Sequence, residues 1–348
     1  MVLHAAKASP GAARRFVALS FSGAGHLLPY HLGCASALLR RSRDAASPSG
    51  SNRTIGGGGT LRGSGATADS ALPPIEAVAG SSSGAIAAAA LARLPHRVDE
   101  YADRFISEGG DALRILRDML HEEERRESLP SSSSLSSVKT ADVDVRRATA
   151  PSLHVAATRC SDGRLHLFSF PRDNGAFRSI SAGWNTDRLL KCVEASCRIP
   201  QSFHPIDVTP GLFGRMRGNA SYPEEEGVRI DGKSYVDGGI AAPAPPTPRD
   251  GEVGALRVIV SPISGSGSSA YAGENSTLVE RVSPQDSSWN LLPMEIRCNG
   301  EFNVRPSVQN IRAMKVSMGA ASEIELREWY ERGCSDGEEA IERLTTLL

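Results

Sequence analysis

The sequence lacks several features that would assign it to a specialised class of protein. It has no excess of either charge, because Lys and Arg number 39 against 40 Asp and Glu. Proteins dedicated to nucleic acids normally carry a clear basic excess, so no nucleic-acid partner is expected. No apolar run is long enough for a transmembrane helix. Aromatic residues make up only 5% of the chain, so we expect a core of Ala, Val, Ile and Leu.

The cysteines and the N-terminus also lack the patterns of several protein classes. No two of the six cysteines form a C-x-x-C pair, so we expect reduced thiols rather than a disulfide framework. No ligand cluster is visible, so neither a metal nor an organic cofactor is implied. The N-terminus is basic up to Asp44 and has no apolar signal-peptide core. Transit peptides share this composition and plastid targeting stays open, but we expect residues 1–15 to be a disordered tail.

Short apolar runs alternate with helical patterns, which is typical of an α/β fold with a mostly parallel sheet. We expect a domain over residues 16–260, interrupted by a flexible, Gly- and Ser-rich insertion at 41–74. Residues 261–348 are expected to form a polar loop, covering 265–290, and C-terminal helices that pack on the same domain. The predicted strands are Phe16–Phe21, Pro74–Ala79, Ser152–Thr158, Leu165–Phe170, Val228–Ile230, Ser234–Asp237 and Leu256–Ser261.

The strongest local signal is the pentapeptide Gly80-Ser81-Ser82-Ser83-Gly84, a G-x-S-x-G motif centred on Ser82. Gly and Ser are so common in this chain that the motif alone could be an ordinary turn. Its context favours a function, because an apolar strand precedes it and the alanine-rich helix Ala85–Leu94 follows. Such a strand–turn–helix elbow holds a nucleophilic serine in a strained backbone and needs small neighbours. The N-terminus of the helix also favours an oxyanion there.

A nucleophilic serine needs a base, and the histidines restrict the choice. No histidine follows His204, whereas an α/β-hydrolase places its catalytic histidine late in the chain. That class would require His204 together with an acid such as Asp162 or Asp187. The carboxylate alternative is Asp237, which ends a predicted strand and precedes two glycines. Strand ends are where α/β sheets bind ligands, although Asp-Gly turns are also common.

A further glycine-rich turn, Ser22-Gly23-Ala24-Gly25, follows the first predicted strand. The dinucleotide-binding pattern G-x-G-x-x-G fails here because its sixth position is Leu28, and no Walker lysine follows. A turn of small residues can still present its backbone N–H groups to a developing oxyanion.

In their order along the chain, these motifs resemble the patatin-like phospholipase family. The resemblance rests on Ser22–Gly33 (SGAGHLLPYHLG), the Ser82 elbow and Asp237-Gly238-Gly239. It is supported by Ala195–Pro200 (ASCRIP) and by the tail Arg327–Leu344. The sequence is most similar to the branch that includes adipose triglyceride lipase.

The resemblance implies a three-layer fold with a central sheet flanked by helices, and a serine acyl hydrolase without a catalytic histidine. Its substrates would be fatty-acyl esters of acylglycerols or phospholipids. Carried over by position, Ser82 is the nucleophile, Asp237 the proton acceptor, and Gly23, Ala24 and Gly25 the oxyanion hole. We expect a cytoplasmic protein that associates peripherally with lipid droplets or membranes, with the apolar Leu27 and Leu28 facing the lipid.

Two alternatives stay open at this point. The chain could be a histidine-dependent α/β-hydrolase esterase that uses His204, or a catalytically silent relative that only binds lipid surfaces. The preference for a lipid headgroup also stays open, because His26 stands where many plant patatins have Arg or Lys.

Overall fold

The computed structural model describes most of the chain, as a mixed α/β fold. The described residues are 16–46, 72–128, 150–171, 185–203, 221–250, 252, 254–266, 278–286, 296–298, 302–304, 306–319 and 321–347. The predicted tail at 1–15, and residues 47–71 of the predicted insertion, lie outside these ranges. Within them, no helix combines the length and the apolar character that crossing a membrane requires.

The elements alternate along the chain. The strands are β1 (Phe16–Phe21), β2 (Ile75–Gly80), β3 (Ser152–Arg159), β4 (Leu165–Phe170), β5 (Val228–Ile230), β6 (Lys233–Asp237), β7 (Ala255–Val260), β8 (Gly265–Ser266), β9 (Leu278–Val282), β10 (Ile296–Cys298) and β11 (Phe302–Val304). The α-helices are α1 (Leu28–Ala46), α2 (Ser83–Arg93), α3 (Val98–Glu108), α4 (Ala112–Ser128), α5 (Thr186–Ser196), α6 (Gly238–Ala241), α7 (Val308–Ser317) and α8 (Glu323–Leu347).

The main sheet has the order β5–β6–β3–β2–β1–β7–β9, with β4 paired to β3 outside this path. The neighbours from β3 to β9 are parallel, whereas β4, β5 and β6 join antiparallel. All six residues of β1 are buried, because a central parallel strand is covered on both faces and therefore reads as a continuous apolar run. The expected α/β fold, with a mostly parallel sheet flanked by helices, is confirmed.

Two stretches differ from the sequence-based expectation. Helix α1 continues to Ala46 and so includes the first six residues of the predicted insertion. The predicted loop at 265–290 is wrong at β8, which pairs with β11, and at β9, which pairs in parallel with β7. Strand β9 was not predicted because it contains charged residues. In the structure these residues have distant partners: Glu280 accepts a hydrogen bond from Arg343 on α8, and Arg281 donates one to a backbone carbonyl. The domain limits expected from the sequence stay a prediction.

The pairing of β3 brings two distant parts of the chain together. On one edge, β3 pairs with β4 along Leu153–Thr158. The opposite edge is shared end to end by β2, whose Gly80 lies opposite Val155, and by β6, whose Asp237 lies opposite Ala157. Two residues of a strand span about 7 Å. The ends of β2 and β6 therefore meet.

Helix α8 packs against α1 through glycines. A Cβ atom on Gly33 of α1 would lie 2.2 Å from the carbonyl oxygen of Tyr330, and one on Gly333 of α8 would lie 2.2 Å from that of Tyr30. Packed helices normally keep their axes 8–10 Å apart because side chains separate them. Here backbone meets backbone, so no side chain fits at either position.

We therefore expect Gly333→Ala to force the two helices apart. The added methyl group has no space, and overpacking of this kind costs about 1–3 kcal/mol of stability. Urea unfolding followed by circular dichroism measures the loss. Ser335→Ala, at an exposed position of the same helix, is the matched control and should be neutral. Equal stability of Gly333→Ala and the parent protein would contradict this account of the contact.

Candidate active site

Ser82 lies in the turn between β2 and α2 and has a strained backbone. Its φ of 53° and ψ of −130° lie where non-glycine residues are rarely found, which costs on the order of 1–3 kcal/mol. The turn is tight because its glycines leave no space. A Cβ atom on Gly80 would lie 2.1 Å from the carbonyl oxygen of Gly84, and one on Gly84 would lie 2.4 Å from that of Phe21. The strain is held in place by close backbone packing on both sides.

Ser196, the last residue of α5, supports the Ser82 backbone. Its hydroxyl oxygen accepts a hydrogen bond of 2.9 Å from the N–H group of Ser82. The same hydroxyl lies 3.1 Å from where a Cβ atom would stand on Gly238. Ser196 therefore sits between the Ser82 turn and the turn that follows Asp237. It lies in the predicted ASCRIP segment, but sequence reasoning gave it no individual role.

The glycine-rich loop at Gly23–Gly25 lies directly against Ser82. A Cβ atom on Gly23 would lie 3.1 Å from the Cβ of Ser82. Two of the three N–H groups of the loop already have acceptors, since Gly23 donates to the carbonyl of Pro243 at 3.2 Å and Ala24 to the hydroxyl of Ser83 at 3.0 Å. The N–H group of Gly25 donates to none of the residues that the structure describes.

Asp237 is anchored through its backbone at the end of β6. Its N–H group donates to the carbonyl of Arg198 at 2.8 Å, and its own carbonyl accepts from the hydroxyl of Thr158 at 2.7 Å. Its carboxyl Oδ1 accepts from the N–H group of Gly239 at 2.7 Å. These contacts fix the carboxyl group beside the Ser82 turn.

Burial raises the pKa of Asp237 from its ordinary value of 3.8 to about 6. The Ser82 hydroxyl and the Gly239 N–H group both favour the charged form and oppose this rise, but desolvation of the carboxylate outweighs them. The approach of Ser82 is looser than a complete hydrogen bond. In the described part of the chain, Asp237 Oδ2 is buried and has no partner with good hydrogen-bond geometry. Asp237 thus presents an unsatisfied oxygen next to the serine hydroxyl.

A set of carbonyl groups after Asp237 connects the loop, the turn and the sheet. The carbonyl of Pro243 accepts from Gly23 and also from the Ser81 hydroxyl at 3.0 Å. Arg257, buried in β7, donates to the carbonyls of Ala244 and Pro245 at 3.0 and 3.2 Å. We call the carbonyls of residues 243–245 the carbonyl clamp. Sequence reasoning missed it, although Arg257 is the only charged residue in the apolar strand ALRVIV.

None of the described histidines contacts Ser82 or Asp237. The nearest to the loop in sequence are His26, which packs beside Phe105, and His31, which is fully buried. Burial lowers the pKa of His31 to about 3, so this ring is neutral. His204 lies outside the described residues. Asp162, considered above as its partner acid, hydrogen-bonds instead to Arg159 in the β3–β4 turn.

The expectation that Leu27 and Leu28 face lipid is wrong. Both are buried, with exposed fractions of 0% and 1%, because the chain turns into α1 here and directs these side chains into the core. Leu28 has an ordinary helical φ of −46° and its side chain fits into the core, so the sixth position of the loop motif does not require glycine here. Among the described residues, no group of three or more His, Cys, Asp or Glu side chains could hold a metal ion.

Comparison with known proteins adds a family. A family model described as patatin-like phospholipase matches residues 19–248, more than half of the chain. No curated protein matches the chain. The solved structure of VipD from Legionella pneumophila is 12% identical, covering 91% of this chain and 67% of VipD, with a TM-score of 0.34. At that level of similarity, VipD informs neither the site nor the substrate.

Replacing Arg257 tests how much its buried ion pair stabilises the protein. Its guanidinium Nε lies 3.2 Å from Asp250 Oδ2, and the two side chains are 1% and 7% exposed. Arg257→Met leaves a buried carboxylate without its cation, which costs about 3–5 kcal/mol. Urea unfolding measures the loss, and the double variant Arg257→Met/Asp250→Asn should recover part of it. A single variant as stable as the parent would contradict the role of the pair.

Replacing Asp237 should stabilise the protein at neutral pH. Between pH 3.8 and about 6 the folded state binds more protons at this residue than the unfolded state, so the free energy of unfolding falls as pH rises. Asp237→Asn removes the buried charge and should raise that free energy at pH 7 by up to about 3 kcal/mol. Unfolding at pH 4, where the gain should nearly vanish, is the control. A variant less stable than the parent at pH 7 would refute the desolvation argument.

Proposed function

Because the chain belongs to the patatin-like phospholipase family, which indicates hydrolysis of lipid esters, we propose that it is a serine acyl hydrolase with a Ser82–Asp237 dyad. The observation that supports this dyad best is the buried, unsatisfied Asp237 Oδ2 beside the Ser82 turn. A carboxylate is ordinarily too weak a base to activate a hydroxyl. With a pKa near 6, it is better matched to proton transfer at neutral pH.

The reaction would proceed in two stages. Ser82 Oγ attacks the ester carbonyl and forms a C–O bond, while its proton passes to Asp237. When the tetrahedral intermediate collapses, the ester C–O bond breaks and Asp237 returns the proton to the leaving alcohol. Water then attacks the acyl-enzyme with Asp237 again as base, which releases the fatty acid and restores Ser82. Atoms and charges balance in both stages without a cofactor.

The loop Gly23–Gly25 would stabilise the oxyanion in both stages. Its contact with the Ser82 side chain supports this role, as does the dipole of α2, which begins at Ser83. The N–H group of Ala24 already donates to the Ser83 hydroxyl and holds the loop in place, so the N–H groups of Gly25 and Gly23 would be the donors to the oxyanion. Gly23 would then exchange its 3.2 Å bond to Pro243 for the substrate oxygen.

The finer assignments rest on the sequence motifs. We propose acylglycerols or phospholipids as substrates, and relationship to the branch that includes adipose triglyceride lipase. We further propose a cytoplasmic protein that works peripherally at lipid droplets or membranes, with a plastid location as the alternative. A panel of lipid classes, assayed for released fatty acid, separates the two substrate groups.

Three variants test the dyad on p-nitrophenyl butyrate, a short ester that needs no lipid surface. Ser82→Ala and Asp237→Asn should each lower kcat by about 10³-fold or more, as loss of a triad member does. His204→Ala should retain most activity. Loss of activity in a folded His204→Ala protein, with Asp237→Asn still active, would instead establish a histidine-dependent esterase. Failure of the parent protein to hydrolyse any ester would indicate a silent lipid-binding protein.

The pH profile gives a second, independent prediction. The proposed base works only as a carboxylate, so kcat/KM should rise with pH through an apparent pKa of about 6 and then level off. Below that value, each unit of pH should cost about tenfold. A profile that instead rises well above pH 7 would exclude Asp237 as the group that limits the rate.

A further inference from the structure

Helix α7 presents an apolar stripe to the outside of the molecule. Ile311, Met314 and Met318 are 53%, 56% and 78% exposed. They lie three and four positions apart, so they share one side of the helix. Ala313 and Val316 pack into the core on the opposite side. Apolar residues gathered on one exposed side of a helix usually mark an interaction surface.

The C-terminal end of α7, which carries Met314 and Met318, contacts the glycine-rich loop of the proposed active site. The carbonyl oxygen of Ser317, close to Met314 and Met318 around the helix, lies 2.1 Å from where a Cβ atom would stand on Gly25. Just beyond the helix, Gly319 approaches the ring of His26 in the same way, at 3.1 Å. The C-terminal end of the stripe therefore lies next to the glycine-rich loop.

A third side of α7, between the stripe and the core-facing side, contacts α8. Arg312 donates to Glu325 and Glu328 of α8 at 3.0 and 2.8 Å. A groove of about 200 Å³ between the two helices is lined in part by Val308 and Trp329. Helix α8 thus contacts the flank of Arg312, whereas the apolar Ile311 on the other flank is 53% exposed.

The charged residues of α7 itself, Arg312 and Lys315, are both basic, although Glu325 and Glu328 of α8 pair with Arg312. Helix α7 contains no acidic residue, and Lys315 lies exposed between the stripe and Arg312 on the helix surface. In the part of the chain that the structure describes, no carboxylate lies within ion-pair distance of Lys315. A cation next to an exposed apolar helix face is the pattern of helices that lie in the interface of an anionic lipid surface.

We propose that α7 docks this protein on a lipid surface with anionic headgroups, which brings the glycine-rich loop of the proposed active site close to the lipid. This deepens the proposed function and rests on it for the statement that the bound lipid is substrate. Ile311, Met314 and Met318 insert among the acyl chains, and Lys315 contacts the headgroups. Ile199 is a further exposed apolar residue close to the site, because it is 66% exposed and follows Arg198, whose carbonyl accepts from the Asp237 N–H group.

Flotation with vesicles tests the docking without any turnover, in the Ser82→Ala protein. The vesicles are pure phosphatidylcholine, or phosphatidylcholine mixed with phosphatidylglycerol. Adding Ile311→Gln and Met314→Gln should lower partitioning onto both by about tenfold or more, because two apolar side chains no longer insert. Lys315→Gln should lower binding to the mixed vesicles only.

The matched control is Ile324→Gln in the same background. Ile324 is 74% exposed but lies outside the stripe, on α8, which contacts the Arg312 side of α7, so its loss should leave flotation unchanged. Thermal melting checks that every variant is folded. A parent protein that does not float, a stripe variant that floats as well as its parent, or an equal loss in Ile324→Gln would each overturn the proposal.

This design distinguishes a lipid surface from a second copy of the chain as the partner of the stripe, and it tests docking separately from ester hydrolysis. If the parent protein is a dimer that the stripe substitutions dissociate, without a change in flotation, the stripe binds a second copy and the proposal is wrong. Ester hydrolysis is measured separately, on the soluble ester and with Ser82 intact. Flotation through α7 without hydrolysis refutes the proposed function alone, whereas hydrolysis with unchanged flotation of the stripe variant refutes the docking alone.

Discussion

The site depends on a single constraint, the sharing of one edge of β3 by two strands that approach it from opposite directions. Strand β2 ends at Gly80 and β6 ends at Asp237, two positions apart along β3. A serine turn and an acidic turn must follow in the little space between them. Gly80, Gly84 and Gly238 are required there because each lies against backbone with no space for a side chain. The desolvation of Asp237 follows from the same crowding.

Hydrogen bonds to serine and to carbonyl groups hold this crowded region in register. Ser196 binds the backbone of Ser82, and Ser83 binds the backbone of Ala24, so small hydroxyls replace the longer polar side chains that would not fit. The carbonyl clamp adds a connection to β7 through Arg257. The strained backbone of Ser82 and the buried carboxyl group of Asp237 need such support, because strain and buried charge persist only when the surrounding structure holds them in place.

The sequence predicted those elements whose local residue pattern is compatible with a single backbone geometry. The strand before Ser82 and the helix after it were predictable, because an apolar run, two glycines and an alanine-rich segment favour one geometry. Asp237 at a strand end was equally visible. Strand β9 was not, because its Glu280 and Arg281 are stabilised by distant partners. The burial of Leu27 and the role of Arg257 were hidden for the same reason, since both are decided by tertiary packing.

The glycine contact between α1 and α8 has a consequence for the order of folding. Gly33 and Gly333 touch across 300 positions of sequence, and β1 pairs with β7 across more than 200. Contacts this distant in sequence form slowly, because the intervening chain loses much of its freedom before they are made. Helix α1 therefore emerges from the ribosome long before its partner. Until α8 is synthesised, the small-residue face of α1 has no helix to pack against, and exposed surface of this kind makes an incomplete chain prone to aggregation.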